Sequence, residues 1–152
     1  MAGKAYSHRL RIGRASDVGQ IYLVTAKTFQ RAPAFSDWRL GRLLVSELRD
    51  VQERQLADSL AWVVMPDHFH WLLELKGHSL SGVVQRVKSR RAIAVNKASG
   101  CSGTFWQSGF HDIAVREERN LVHFARYIVA NPVRAGLVNS VREYPLWDAV
   151  WL

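Results

Sequence analysis

The sequence predicts an α+β fold, an antiparallel sheet with helices packed on it, close to a split βαβ arrangement. Three observations carry this. Strand-like and helix-like stretches follow in the order strand, helix, two strands, helix, strand, helix. The two middle strands are separated only by Pro66-Asp67, which is turn chemistry. The helical stretches repeat their apolar residues at three and four. The chain has 152 residues, is 48% hydrophobic and 22% charged, and is expected to form one domain over residues 1–152.

Residues 1–20 form a basic leader with Lys4, His8, Arg9, Arg11 and Arg14. A solvated arm and a phosphate-contacting arm are both open. Residues 21–29 have strand composition and some alternation. Ser36 or Asp37 can cap a helix running to about residue 58, with Leu40, Leu43, Leu44, Leu48 and Val51 on its buried stripe. The central strands follow, over residues 60–65 and 68–75. A second helix is expected over residues 80–98, a strand over 111–115 and a last helix over 117–130. Pro132 disfavours helical geometry at Asn131 and is expected to end that helix there. Residues 139–152 form a tail expected to pack against the domain.

There are 21 Lys and Arg against 13 Asp and Glu, a formal charge of +8. Such a balance favours a polyanionic partner, nucleic acid above all. The single cysteine, Cys101, excludes an intramolecular disulfide and any Cys-rich zinc site. The start of the chain carries charges without an apolar core, and no run approaches the roughly 18 apolar residues of a membrane span. No membrane partner is expected, and a cytoplasmic location is the default.

Three constellations carry chemistry. On the strand at residues 68–75, His68, His70, Leu72 and Glu74 share one face, while Phe69, Trp71, Leu73 and Leu75 form a core face. The two imidazoles stand roughly 6–7 Å apart at Cα and can converge on one cation. A bare His-x-His pair is two half-exposed histidines until a third donor joins it. The second constellation is the basic helix: Arg86, Lys88, Arg90, Arg91 and Lys97 occur with no acid between Gln85 and Lys97, which suits a phosphate backbone. Phe105 and Trp106, among small polar residues, are either a core edge or a platform for unpaired bases. The third is a stripe at spacing four, His123, Tyr127 and Asn131. A helical tyrosine is ordinarily core with its hydroxyl satisfied at the edge. Its combination with the histidines and the basic helix marks Tyr127 as a functional candidate.

Met65-Pro66-Asp67-His68-Phe69-His70, together with Tyr127-Ile128 and the run Asn131-Pro132-Val133-Arg134-Ala135-Gly136-Leu137, resembles the IS200-like single-tyrosine (Y1) transposases of the HUH class. Within them the chain is similar to the REP-associated tyrosine transposases. Lys88-Ser89 and Phe105-Trp106-Gln107 also match, and the resemblance spans about residues 21–138. Asp67 stands where the family more often has Asn, a swap expected to keep the turn and to matter little. The resemblance implies a ferredoxin-like fold. It makes His68 and His70 metal ligands, Tyr127 the nucleophile and Asn131 a third ligand in the place often held by Gln. Glu74 is a candidate to support the histidines from their own face and His123 to orient the phenol or touch DNA; His111 and Asp112 are weaker candidates, and Tyr6, Tyr22 and Tyr144 are expected to be structural.

The implied cofactor is a divalent cation, Mg²⁺ or Mn²⁺. The implied activity is a metal-dependent endonuclease and strand transferase acting on single-stranded or hairpin DNA of palindromic repeats through a 5′-phosphotyrosine. Two alternatives stay open: a catalytically silent hairpin-binding module, and a metallohydrolase using the His pair with water. Monomer and homodimer are both open.

Overall fold

The computed structural model describes residues 18–99 and 104–150, with the backbone alone over 90–99. The basic leader up to residue 17, the loop at 100–103 and the side chains of Arg90, Arg91 and Lys97 therefore lie outside the described residues.

The elements are β1 (Ile21–Lys27), α1 (Trp38–Glu53), β2 (Ala57–Met65), β3 (His68–Leu75), α2 (Leu80–Ser99), β4 (His111–Val115), α3 (Glu118–Arg134) and β5 (Trp147–Ala149). All strand pairs are antiparallel, in the order β4-β1-β3-β2-β5. The first four strands with α1 and α2 make the βαββαβ unit of the ferredoxin-like fold. The expected fold class is therefore the observed one. Among the described residues no helix is long and apolar enough to cross a membrane.

Both faces of the sheet are covered. Trp106 links one face to α2: its Nε1 donates to the Lys88 carbonyl at 2.9 Å, and its ring meets Phe69 with centroids 5.5 Å apart. Helix α1 packs against α2 and β2, burying Leu44, Leu48 and Val51. On the other face lies α3, which brings Tyr127 against His70. On the histidine face Leu72 is wholly buried and His70 is 7% exposed, while His68 and Glu74 are half-buried.

The structure departs from the expected elements in several places: β1 ends at Lys27 rather than residue 29, and β2 begins at Ala57 rather than residue 60. Helix α1 stops at Glu53, not near residue 58, because Gln55 takes a left-handed φ of 58°. Gln55 N then bonds Gln52 O and Leu56 N bonds Val51 O, the pattern that usually ends on glycine. Nothing in the sequence signalled this stop. Helix α3 continues through buried Pro132 to Arg134 rather than ending at Asn131. Proline forfeits one hydrogen bond in a helix interior, but Ile128, Val129 and Pro132 are all buried, and this packing outweighs the local preference. The helix ends at Gly136, with φ 77°, Gly136 N on Val133 O and Leu137 N on Pro132 O. Finally, the tail adds the short edge strand β5 to β2. Tyr144 anchors it by donating its hydroxyl to the Val64 carbonyl.

The β2–β3 turn is only Pro66-Asp67, since Met65 pairs directly with His68. Two-residue hairpins favour turns with positive φ at the first position, which proline cannot adopt. Outside contacts hold this turn instead. Phe35 N donates to Pro66 O at 2.9 Å. Thr28 donates to Asp67 O through both its N–H, at 2.9 Å, and its hydroxyl, at 3.0 Å. The histidines thus begin from a fixed base.

Candidate active site

His68 and His70 stand on the same face of β3 with ring centroids 4.9 Å apart, nearly perpendicular at 77°. Each has its Nδ1 engaged. His68 Nδ1 lies 2.7 Å from Asp67 Oδ1, while the other oxygen of that carboxylate accepts from Arg31 Nε at 2.8 Å. His70 Nδ1 lies 2.8 Å from the Thr25 hydroxyl, its partner across the β1–β3 ladder. The Asp67 carboxylate only accepts, so His68 Nδ1 carries the proton and the neutral ring keeps a free lone pair on Nε2; the Thr25 hydroxyl can accept from His70 Nδ1–H in the same way. This is the usual device by which an outer group fixes the tautomer of a metal-binding histidine.

The surroundings keep His70 neutral, as a ring offering a lone pair must be. Burial, with smaller repulsion from His68 and Lys27, lowers His70 to about 4, so it is a neutral imidazole at pH 7. Burial alone would raise the Asp67 carboxyl, but hydrogen bonds from His68 and Arg31 outweigh it and hold the group below its ordinary value. Arg31 sits in a short turn in which Gln30 and Arg31 have φ of 54° and 56°. Left-handed backbone at non-glycine residues is unfavourable and collects at functional sites.

The ring of Tyr127 approaches His70 edge-on, centroids 5.5 Å apart. The Arg134 guanidinium lies 4.9 Å from the centre of the tyrosine ring, on the same helix. Asn131, half-buried, shares the α3 stripe one turn beyond Tyr127. Among the described residues no third His, Cys, Asp or Glu joins the pair in a metal-sized cluster. Further donors would have to come from an amide such as Asn131, from water or from a substrate oxygen.

Comparisons with known proteins decide the family. The family model described as "Transposase IS200 like" matches residues 19–131. The chain belongs to the IS200-like transposase family. Over 87 residues it is 32% identical to the REP-associated tyrosine transposase of Escherichia coli (strain K12), covering 56% of this chain and 50% of that protein. A Haemophilus influenzae relative is 25% identical over 99 residues, 58% of this chain and 56% of its own. The chain thus spans about half the length of the curated relatives it matches. The fold matches the structure of a REP-associated tyrosine transposase bound to a REP hairpin, with a TM-score of 0.72 at 24% identity over 88% of this chain and 79% of that one.

In this member of the family the geometry sorts the other predicted residues. Lys88 is not presented to a phosphate: it is 6% exposed, and its ammonium donates to Gln107 O at 3.0 Å and Gly109 O at 2.7 Å. Burial lowers its pKa. Trp106, 7% exposed, is core rather than a stacking platform. Phe105 is half-buried against Phe35, centroids 5.6 Å apart. Arg86 is half-buried and ion-paired with Asp50 of α1 at 3.1 Å.

Glu74 is four residues along β3 from His70, about 13 Å, and it faces Asp58 and Ile21 across the ladders. It does not reach the site, where Asp67 is the carboxylate that bonds His68 Nδ1. His123 is exposed and contacts the ring of Phe124. Among the other described tyrosines, Tyr22 pairs with Leu73 on the opposite face. Burial pushes Tyr144 up to about 12, so it remains a neutral hydrogen-bond donor. Sequence reasoning missed Thr25, Arg31, Asp67 and Arg134 as site residues. Only Asp67 and Arg134 left a signal, the first by adjacency to His68 and the second by lying seven residues from Tyr127 on one helix face.

Proposed function

We propose that this chain cuts and rejoins single-stranded DNA through a covalent link to Tyr127. The observation that supports this most is the convergence of a tyrosine ring, from α3, on a His pair whose Nδ1 atoms are both engaged. His68 and His70 would hold a divalent cation, Mn²⁺ or Mg²⁺, through their Nε2 atoms, with Asn131 as a third donor. Two imidazoles suit Mn²⁺ better than Mg²⁺. A cation bound there supplies charge withdrawal from a scissile phosphate.

The chain's own groups do the rest. Tyr127 presents the nucleophilic oxygen. A phenol, with an ordinary pKa near 10, needs assistance at neutral pH. Arg134 brings positive charge to the face of the ring, where negative charge develops as the proton leaves. Attack at phosphorus forms the Tyr127 O–P bond and breaks the P–O3′ bond. The phenolic proton passes to solvent and the departing 3′ oxygen gains one. The products are a 5′-phosphotyrosine and a free 3′-OH. One phosphodiester replaces another, so a DNA 3′-OH can reverse the step without ATP.

The substrate would be a hairpin-forming repeat with an unpaired flank, as the hairpin bound by the structural relative suggests. Binding would draw on the net charge of +8, and the protein would work in the cytoplasm, on chromosomal DNA. The test is incubation with labelled hairpin oligonucleotides and Mn²⁺, with and without chelator, followed by a denaturing gel. A chelator-sensitive protein–DNA band is expected, and Tyr127→Phe should abolish it. Cleavage without any adduct in both proteins would indicate a hydrolase and overturn the proposal.

A further inference from the structure

A separate cavity lies one strand away from the histidines. Its volume is about 180 Å³, and Thr25, Lys27, Gln107, Ser108, Phe110 and His111 line it. Thr25 pairs with His70 on one side and with His111 on the other. Partners in an antiparallel ladder share a face, so this cavity opens on the histidine face. Its floor is the same Thr25 whose hydroxyl lies 2.8 Å from His70 Nδ1.

The wall is built to be rigid. Lys88 donates to the carbonyls of Gln107 and Gly109 at 3.0 and 2.7 Å. Gln107 N donates to Lys27 O at 2.9 Å. The backbone of the loop is thereby satisfied. The side chains of Gln107, Ser108 and His111 are exposed and make no hydrogen bond or ion pair among the described residues. Phe110 is half-buried against the core.

The cavity therefore offers one aromatic ring, one amide with donor and acceptor, a hydroxyl and an imidazole. An unpaired base presents the matching surfaces, a face that stacks and an edge that bonds. The volume falls below the roughly 300–1,000 Å³ of a drug-sized site, which suits one base rather than two. Among the described residues Lys27 is the only lysine or arginine lining the cavity, too little for a site built on phosphate alone.

We propose that this pocket takes the single unpaired nucleobase next to the scissile phosphate, with Phe110 stacking on it and Gln107 reading its edge. The inference rests on the single-stranded DNA reading above. The buried Lys88 is then a positioning residue, holding the loop that shapes the pocket.

The experiment places the fluorescent base 2-aminopurine at each position of the unpaired flank of a hairpin oligonucleotide. Binding is followed by anisotropy and stacking by quenching, both in chelator so that no cleavage occurs. Wild type should quench at one position above the others. Phe110→Leu, which keeps apolar volume, should lose that quench alone and weaken flank binding about 5- to 100-fold. Gln107→Ala, at an exposed position, should keep the quench and alter which base binds best there. Equal quenching by wild type and Phe110→Leu at every position would overturn the pocket. Absence of any DNA binding would overturn it together with the nucleic-acid reading. Quenching without adduct formation in Mn²⁺ would sink the nuclease reading and leave the pocket standing.

Discussion

Removing the Asp67 carboxylate tests the proposal that it prepares His68 to hold a metal ion. Its Oδ1 lies 2.7 Å from His68 Nδ1 and its Oδ2 2.8 Å from Arg31 Nε. Asp67→Ala removes both contacts and frees the His68 ring to rotate and to exchange tautomers. A hydrogen bond to a charged group contributes about 1.5–3 kcal/mol, which corresponds to roughly 10- to 150-fold in affinity. Loss of an outer carboxylate beside a metal-binding histidine ordinarily costs about 10–100-fold. The two ranges agree. Asp67→Asn keeps an oxygen for Nδ1–H but gives up the charge and the Arg31 pair, so it should fall between alanine and wild type. The turn itself should survive, because Thr28 and Phe35 hold backbone carbonyls, not the Asp67 side chain. The assay is calorimetric titration of the metal-free protein with Mn²⁺, with thermal melting in chelator to check folding. Asp67→Ala binding Mn²⁺ within about twofold of wild type would show that the carboxylate does not prepare His68 for metal.

Other outcomes follow from the same geometry. His70 is held at about 4 in the fold against 6.5 in an unstructured chain, so the unfolded state binds the extra proton between those values. Its contribution is fully present above about pH 6.5 and is lost as pH falls toward 4, by about 3 kcal/mol in all. Melting in chelator should show this slope, and His70→Asn should remove that component. Lys88→Met should loosen the 107–109 loop, yet leave the dependence of DNA affinity on salt unchanged. A true phosphate contact would lower the slope of log K against log salt by about 0.7 for a single strand. Tyr144→Phe should lower stability by about 1 kcal/mol through its lost bond to Val64 O, without changing adduct formation.

The fold was readable because its signals are local and repeated. Strand β3 and strand β4 begin and end where alternation and turn residues place them. The misreadings have physical causes. Gln55 does the work of a glycine at the end of α1, and core packing carries α3 through Pro132. Strand β5 is three residues long, too short to show a period. At the site, the His pair and Tyr127 were visible as spacing. Thr25 became visible only through the register that places it opposite His70, and Arg31 only through the turn that aims it at Asp67. Lys88 read as part of a basic face because a sequence shows charge and not burial. Asp67 was seen as turn chemistry alone, although its carboxylate fixes His68.

The most direct measurement locates the covalent bond. Wild-type protein would be reacted with a hairpin oligonucleotide in Mn²⁺, digested with nuclease and protease, and mapped by mass spectrometry. A 5′-linked nucleotide is expected on the peptide containing Tyr127, and none when chelator is present. A nucleotide on Tyr22 or Tyr144, or cleaved DNA with no modified peptide, would contradict it.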